Sequence, residues 1–258
     1  MPSWYWDGLD YPPDRIGNLV RLRQSANKRG TYMARLAPTL LGFLFAGLAY
    51  AADTDALIQK LRSSNVEERR EAARSLAEMG PEAKAAARAL TVSLADKDRF
   101  VRRFSAQALG AIGTAASAQG VDPLGKLLAN TGESKEVQEA AATALGKMGS
   151  KAVDPLVAAL KNKKLDNSVR QKAAESLGNL NEAAVPAVPA LIKALEDPAV
   201  RAAAVGAIGQ IGPSARSAEK ELREILEDKG LRRDKALRAS VQNSLKKIGG
   251  KPVVTPKK

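Results

Sequence analysis

The sequence has no cysteine and no histidine, and beyond residue 51 it also has no tryptophan and no tyrosine. Each absence excludes a class of chemistry. Without His or Cys there is no imidazole general base, thiol nucleophile, dithiol redox pair, or usual zinc or non-haem iron ligand. The expectation is therefore a non-enzymatic protein with no catalytic residues, no metal and no cofactor. Carboxylate or Ser/Lys chemistry would still be open, but no paired carboxylates and no Ser/Lys motif stand out. Of the two Trp, four Tyr and four Phe, only Phe100 and Phe104 lie beyond residue 51. Two rings are too few for a base-stacking platform, which disfavours nucleic acid as a partner.

Charge, by contrast, is plentiful and one-sided. The chain carries 41 Lys and Arg against 28 Asp and Glu, a net +13. Positive charge gathers in Lys161–Lys164, in Arg232–Arg233 and in the tail 251–258, which carries two Pro and three Lys and is expected to be disordered. Such a surface attracts anionic surfaces and polymers.

Residues 1–32 match nothing that follows. From Met33 the chain reads as a secretory signal, with Arg35, an apolar stretch, and Ala49-Tyr50-Ala51 as an A-x-A cleavage site. The alternative is a membrane anchor, if the signal is uncleaved, but the run from Leu36 to Ala52 includes Pro38 and sits at the lower limit of a span. The expected organisation is an extension at 1–32, either upstream of a true start at Met33 or a long n-region, then a signal at 33–51, a repeat domain at 52–250 and the tail. Cleavage would leave a periplasmic or secreted protein without a stable membrane span.

The repeat domain is six copies of one phrase, clearest in DRFVRRFSAQALGAIG from Asp98 to Gly113. Its first column, Asn65, Asp98, Ser134, Asp166, Asp197 and Asp234, consists of good helix N-caps. Four residues on stand Arg69, Arg102, Gln138, Arg170, Arg201 and Arg238. Small residues such as Ala141, then Leu76, Leu109, Leu145, Leu177, Ile208 and Leu245, follow at spacings of four and three that predict one apolar helical stripe. Each copy closes on Gly80, Gly113, Gly149, Asn181, Gly212 or Gly249, residues that tolerate a left-handed helix end. Upstream of each copy a Leu pair four apart, such as Leu90 and Leu94, predicts a shorter first helix. Two of these open Val121-Asp122-Pro123 and Val153-Asp154-Pro155, where Asp is expected to cap and Pro to fit the first turn.

A helical pair of this length, with an Asp cap, an Arg one turn later and the ending A-x-x-L-G-x-[IL]-G, resembles the HEAT repeat, in the short form named after phycobilisome lyases. The resemblance covers roughly residues 53 to 250. It implies an all-α fold, an α-solenoid of six helix-turn-helix repeats, whose second helices line the concave side and bind another protein. The chromophore chemistry of the lyases does not follow from it, and the iron-dependent HEAT-like hydroxylases depend on His, which this chain lacks.

The resemblance also offers a role for the paired columns. Asp98 with Arg102, Asp166 with Arg170, Asp197 with Arg201 and Asp234 with Arg238 form a ladder in which each Arg is expected to pair with a neighbouring cap and lock successive repeats; the alternative is an anion-binding Arg row. The column Gly110, Gly146, Gly178 and Gly209 is expected where helices approach closely. A rotation of 100° per residue puts Arg70, Arg103, Glu139 and Gln171 in one outward row, beside Arg74, Gln107, Thr143 and Glu175. With Phe100 and Phe104 off the apolar stripe, the expected binding residues are Arg70, Arg74, Phe100, Arg103, Phe104 and Gln107. The two rings either anchor a partner or pack against adjoining helices.

Overall fold

The computed structural model describes residues 53–249; the segments 1–32, 33–51 with Ala49 and Ala51, and 251–258 lie outside the described residues. Within them the chain forms six helical pairs, with no strand among the described residues. In chain order the pairs are α1 (residues 53–60) with α2 (Val66–Met79), α3 (Ala87–Ser93) with α4 (Arg99–Ile112), and α5 (Ser117–Ala129) with α6 (Lys135–Leu145). Then come α7 (Val153–Lys161) with α8 (Asn167–Asn179), α9 (Val188–Ala194) with α10 (Arg201–Ile211), and α11 (Glu219–Glu227) with α12 (Lys235–Lys247).

The caps explain where the second helices begin. Asn65 accepts the amide of Glu67 at 2.9 Å, Asp166 that of Ser168 at 2.8 Å, and Asp234 that of Leu237 at 2.8 Å. Two members of the column depart from expectation. Ser134 makes no side-chain hydrogen bond to α6, and Asp197 accepts from Ala199 one turn before α10 proper, whose cap position is Val200. The six closing residues all take positive φ, from 50° at Asn181 to 79° at Gly249, so the chain turns sharply at the same point of every repeat. It then descends through a 3-10 turn (Gly80–Ala86, Gly113–Ala116, Ser150–Ala152, Asn181–Ala187 or Gly212–Ala218) into the next first helix.

Asp122 and Pro123 do not open a helix as expected. Seven residues separate the closing Gly113 from Val121, against three between Gly149 and Val153, so α5 already starts at Ser117 and Pro123 falls inside it. Proline has no N–H for the carbonyl four residues back. That carbonyl, of Gln119, instead faces the Thr91 hydroxyl at 3.5 Å. In α7 the same words fall one turn earlier in the helix, with Val153 first, Asp154 second and Pro155 third; the missing N–H there costs nothing, but Asp154 lies past the cap position, held by Ala152, and makes no capping hydrogen bond.

The apolar stripe forms one continuous core. Leu76, Leu109, Leu145, Leu177, Ile208 and Leu245 are all buried, as are Ala72, Ser105, Ala141, Ala173, Ala204 and Val241 one turn earlier. Each Leu or Ile contributes about 1.5–3 kcal/mol of burial. The six second helices pack each on the next to form one layer, and the first helices form the other. Glycine sets the spacing of the second-helix layer. A Cβ on Gly110 would stand 2.7 Å from Ala144 Cα, and one on Gly146 2.9 Å from Ser176 Cβ. Only a residue without a side chain permits that approach.

Candidate functional site

The Arg column ties each repeat to itself before it ties repeats together. All six members donate to backbone carbonyls at the end of the first helix of their own repeat or in the turn that follows it. Arg69 reaches Ser63 and Ser64, Arg102 reaches Asp96 and Lys97, and Gln138 reaches Leu128 and Asn130. Arg170 reaches Leu160, Arg201 reaches Leu195, and Arg238 reaches Leu226. A neutral amide can do this as well as a guanidinium, which explains Gln138.

Ion pairing across repeats is a second and less regular role. Arg170 pairs with the Asp197 carboxylate at 2.6 Å, but Arg69 pairs with Asp96 at 2.7 Å and Arg102 with Glu133 at 2.6 Å, acids of the following turn and not caps. Asp98 does not meet Arg102, Asp166 does not meet Arg170, and Arg201 and Arg238 form no ion pair among the described residues. Burial works to raise the Asp96 and Glu133 carboxyls; the Arg69 and Arg102 guanidiniums, with backbone amides, override it and hold both below their ordinary values. The expected pairing of each Arg with a cap is thus corrected at Arg69, Arg102, Arg201 and Arg238. The reason is reach: the guanidinium is anchored on its own turn and takes whichever acid the next turn presents.

The outward row on the second helices is where unassigned chemistry gathers. Arg70 lies across Asp98, with Nε to Oδ1 at 2.9 Å and Nη2 to Oδ2 at 2.6 Å, and Nη1 to Glu67 at 2.7 Å. Asp98 also accepts the amides of Phe100 and Val101, both at 3.0 Å. The Arg70 hydrogen bonds, opposed by burial and helped by these amides, hold the Asp98 carboxyl far below the usual range. The Phe100 ring is surrounded by cations: Arg70 and Arg99 each lie 4.9 Å from its centroid and Arg103 lies 5.3 Å away. Arg103 is also 5.0 Å from the Phe104 ring.

Phe104 is half-buried and packs against the core. Phe100 is half-buried too, at the mouth of a cleft of about 170 Å³ lined by Arg99, Phe100, Arg103, Ser134, Glu136 and Val137. Gln107 is exposed, and so is Arg74, whose Nε lies 3.2 Å from Glu78 on its own helix. Of the six expected binding residues, the structure therefore gathers Arg70, Phe100, Arg103 and Phe104. Arg74 and Gln107 stand on the adjoining row. Arg99 was missed, because the helical rotation that defines the row leaves out the residue before Phe100; its guanidinium folds back over the ring.

A second basic region surrounds the Lys161–Lys164 turn, in a cleft of about 280 Å³ lined by Lys161, Lys163 and Lys193 over the Arg170 and Asp197 pair. Among the described residues no group of His, Cys, Asp and Glu could hold a metal ion, and no helix is long and apolar enough to cross a membrane.

No curated protein matches the chain. Among solved structures it is similar to an engineered protein, with 27% identity and a TM-score of 0.51 over 78% of this chain and 59% of that one. It is also similar to a computationally designed armadillo repeat protein for modular peptide recognition, with 22% identity and a TM-score of 0.50 over 74% of this chain and 98% of that one. Kap121p in its complex with Ste12p gives 19% identity and a TM-score of 0.59 over 77% of this chain, which spans 23% of that chain. The last two likenesses establish the fold alone. A family model described as HEAT repeats matches residues 54–124 and 121–197, more than half of the sequence. Six capped helix pairs stacked in two layers, and a family match across most of them, lead to one conclusion: the chain belongs to the HEAT-repeat family.

Proposed function

We propose that the protein is a non-enzymatic scaffold that binds another protein on the face formed by its second helices, in the N-terminal half of the stack. The observation that carries this reading is the Phe100 cluster. Three guanidiniums share one half-buried ring at an open cleft, and aromatic and Arg side chains together are what interface hot spots are made of. The peptide recognition of the designed armadillo repeat protein and the bound state of Kap121p support the same use of a helical stack. The signal-like segment 33–51 supports a periplasmic or extracellular location.

The net charge of +13 and the Lys161 cleft favour a second reading, binding of an anionic polymer. Affinity capture from envelope extract separates the two. A protein that wild type retains through added salt, and that Arg103→Glu does not retain, supports the scaffold. Recovery only of anionic polymer, released by modest salt from wild type and variant alike, overturns it. Location is decided by mass spectrometry of the exported species, which is expected to begin at Ala52.

A further inference from the structure

The outward row of the second helices doubles as a row of joints. In four successive repeats its leading residues are Arg70, Arg103, Glu139 and Gln171. Three of them bond to the start of the next second helix or to the residues just before it. Arg70 holds the Asp98 cap through two hydrogen bonds. Glu139 Oε1 accepts from the Ser168 hydroxyl at 2.5 Å, and Gln171 Nε2 donates to the Ala199 carbonyl at 2.6 Å. Arg103 is the exception. Its Nε is buried and has no hydrogen-bond partner among the described residues, and its guanidinium makes no ion pair there.

The cause is a single substitution in the cap column. The residue that faces Arg70 is Asp98; its counterpart facing Arg103 is Ser134, short and uncharged. Arg70 and Asp98 thus show, within the same molecule, what this position accepts: a carboxylate with one oxygen on Nε and the other on Nη2. The surroundings of Arg103 fit the same group. Its guanidinium is steadied by the Phe100 and Phe104 rings at 5.3 and 5.0 Å, contacts that leave its N–H donors in the plane uncommitted. Arg99, which forms no ion pair among the described residues, adds a second positive charge at the mouth. On the other wall, α6 begins with amides that no side chain caps. Glu136 at the rim disfavours a doubly charged phosphate, and the volume of about 170 Å³ suits a small group.

We propose that the cleft between α4 and α6 takes the carboxylate of an Asp or Glu side chain from the partner protein, with the uncommitted Nη groups of Arg103 as its directional donors. This rests on the protein-binding reading above. The bound carboxylate completes in trans the pair that Asp98 completes in cis one repeat earlier, so the partner's acidic residue is read at a joint of the stack.

Two measurements on the full chain test it. In the first, Ser134→Asp supplies the carboxylate internally. The melting temperature is expected to rise by at least about 2 °C, and to rise less when the same change is made in an Arg103→Gln background. An equal rise in both backgrounds means that Arg103 does not engage a carboxylate there, and overturns the proposal. In the second, a phage-displayed library of random dodecapeptides is selected on wild type, Ser134→Asp, Arg103→Lys and Arg74→Gln. Peptides enriched in Asp or Glu on wild type and Arg74→Gln, with at least tenfold loss of that enrichment on the other two, are the expected result. Arg103→Lys keeps the charge and loses the planar guanidinium fork, so undiminished enrichment on it overturns the directional role. Peptides enriched without acidic residues overturn the carboxylate and leave the scaffold reading intact. No enriched peptide on any variant overturns both.

Discussion

Replacing Gly110 and Gly206 separately by alanine sets the packing account against simple helix propensity. Both lie in second helices, Gly110 in α4 and Gly206 in α10, so propensity alone predicts that alanine stabilises each by about 1 kcal/mol. Packing predicts opposite signs. A Cβ at Gly206 meets nothing within 4 Å, and the gain of about 0.4–1 kcal/mol should appear in full. At Gly110 the new Cβ would stand 2.7 Å from Ala144 Cα and 2.9 Å from Ala144 Cβ, against an optimal carbon–carbon separation of about 3.5–4.0 Å. The obstacle is backbone, which no rotamer change can relieve, so α4 and α6 must part by about 1 Å. A gap of that size forfeits roughly a quarter to a half of each contact energy along the pair. Overpacking of this kind costs about 1–3 kcal/mol. After the propensity gain, Gly110→Ala should be destabilised by up to about 2 kcal/mol, and at about 2–4 °C per kcal/mol the two variants should melt on opposite sides of wild type. Thermal melts followed by far-UV circular dichroism read this directly. Equal stabilisation of both variants would refute glycine as the determinant of helix spacing.

The Ser105 hydroxyl is buried without a hydrogen-bond partner where other repeats carry Ala or Val, so Ser105→Ala should gain about 1 kcal/mol in urea denaturation; a loss would mean the hydroxyl is satisfied. Leu145→Ala should cost about 2–5 kcal/mol, since Leu145 is fully buried in mid-stack, and an unchanged melt would contradict the register of the repeats. Phe104→Ala should lower the melting temperature more than Phe100→Ala, because only the former ring packs on the core. Asp96, Asp98 and Glu133 are held below their ordinary values of 3.8, 3.8 and 4.5, so the folded state binds fewer protons than the unfolded one. The stability they contribute is complete above about pH 5 and is lost as the pH falls through the lowered values. Melts across acid pH should show that loss, and Asp98→Asn with Glu133→Gln should flatten it; an unchanged acid dependence would refute the assignment.

Helix number, register, core columns and glycine contacts were legible in the sequence because each is set by a periodicity that survives six repetitions. The six positive-φ closures are the plainest case, since even Asn181 stands where the glycines stand. What escaped was whatever depends on reach across a turn. Asp96 and Glu133 belong to no column, yet they take Arg69 and Arg102 because long side chains anchored on one turn find the nearest acid of the next. Neither Asp122 nor Asp154 caps its helix, because the helix start is set by the distance from the closing glycine, and Ser117 and Val153 both precede the Asp. In the candidate site, the row containing Arg70 and Arg103 followed from helical rotation. Arg99 did not, because a side chain that doubles back over its neighbour's ring leaves no mark in the spacing.

The close contacts made through Gly110, Gly146, Gly178 and Gly209 also set a unit of length. Helices that touch through bare backbone pack near the short end of the usual 8–10 Å interaxial range. An extended polypeptide advances about 3.3 Å per residue. A segment lying across the second helices therefore passes one repeat every two to three residues, alternating the side it presents. From α4 to α12 the glycine column gives the stack a series of close joints, in which a change of one residue in the spacing of a partner's anchor points moves them out of step with Arg103 and its neighbours.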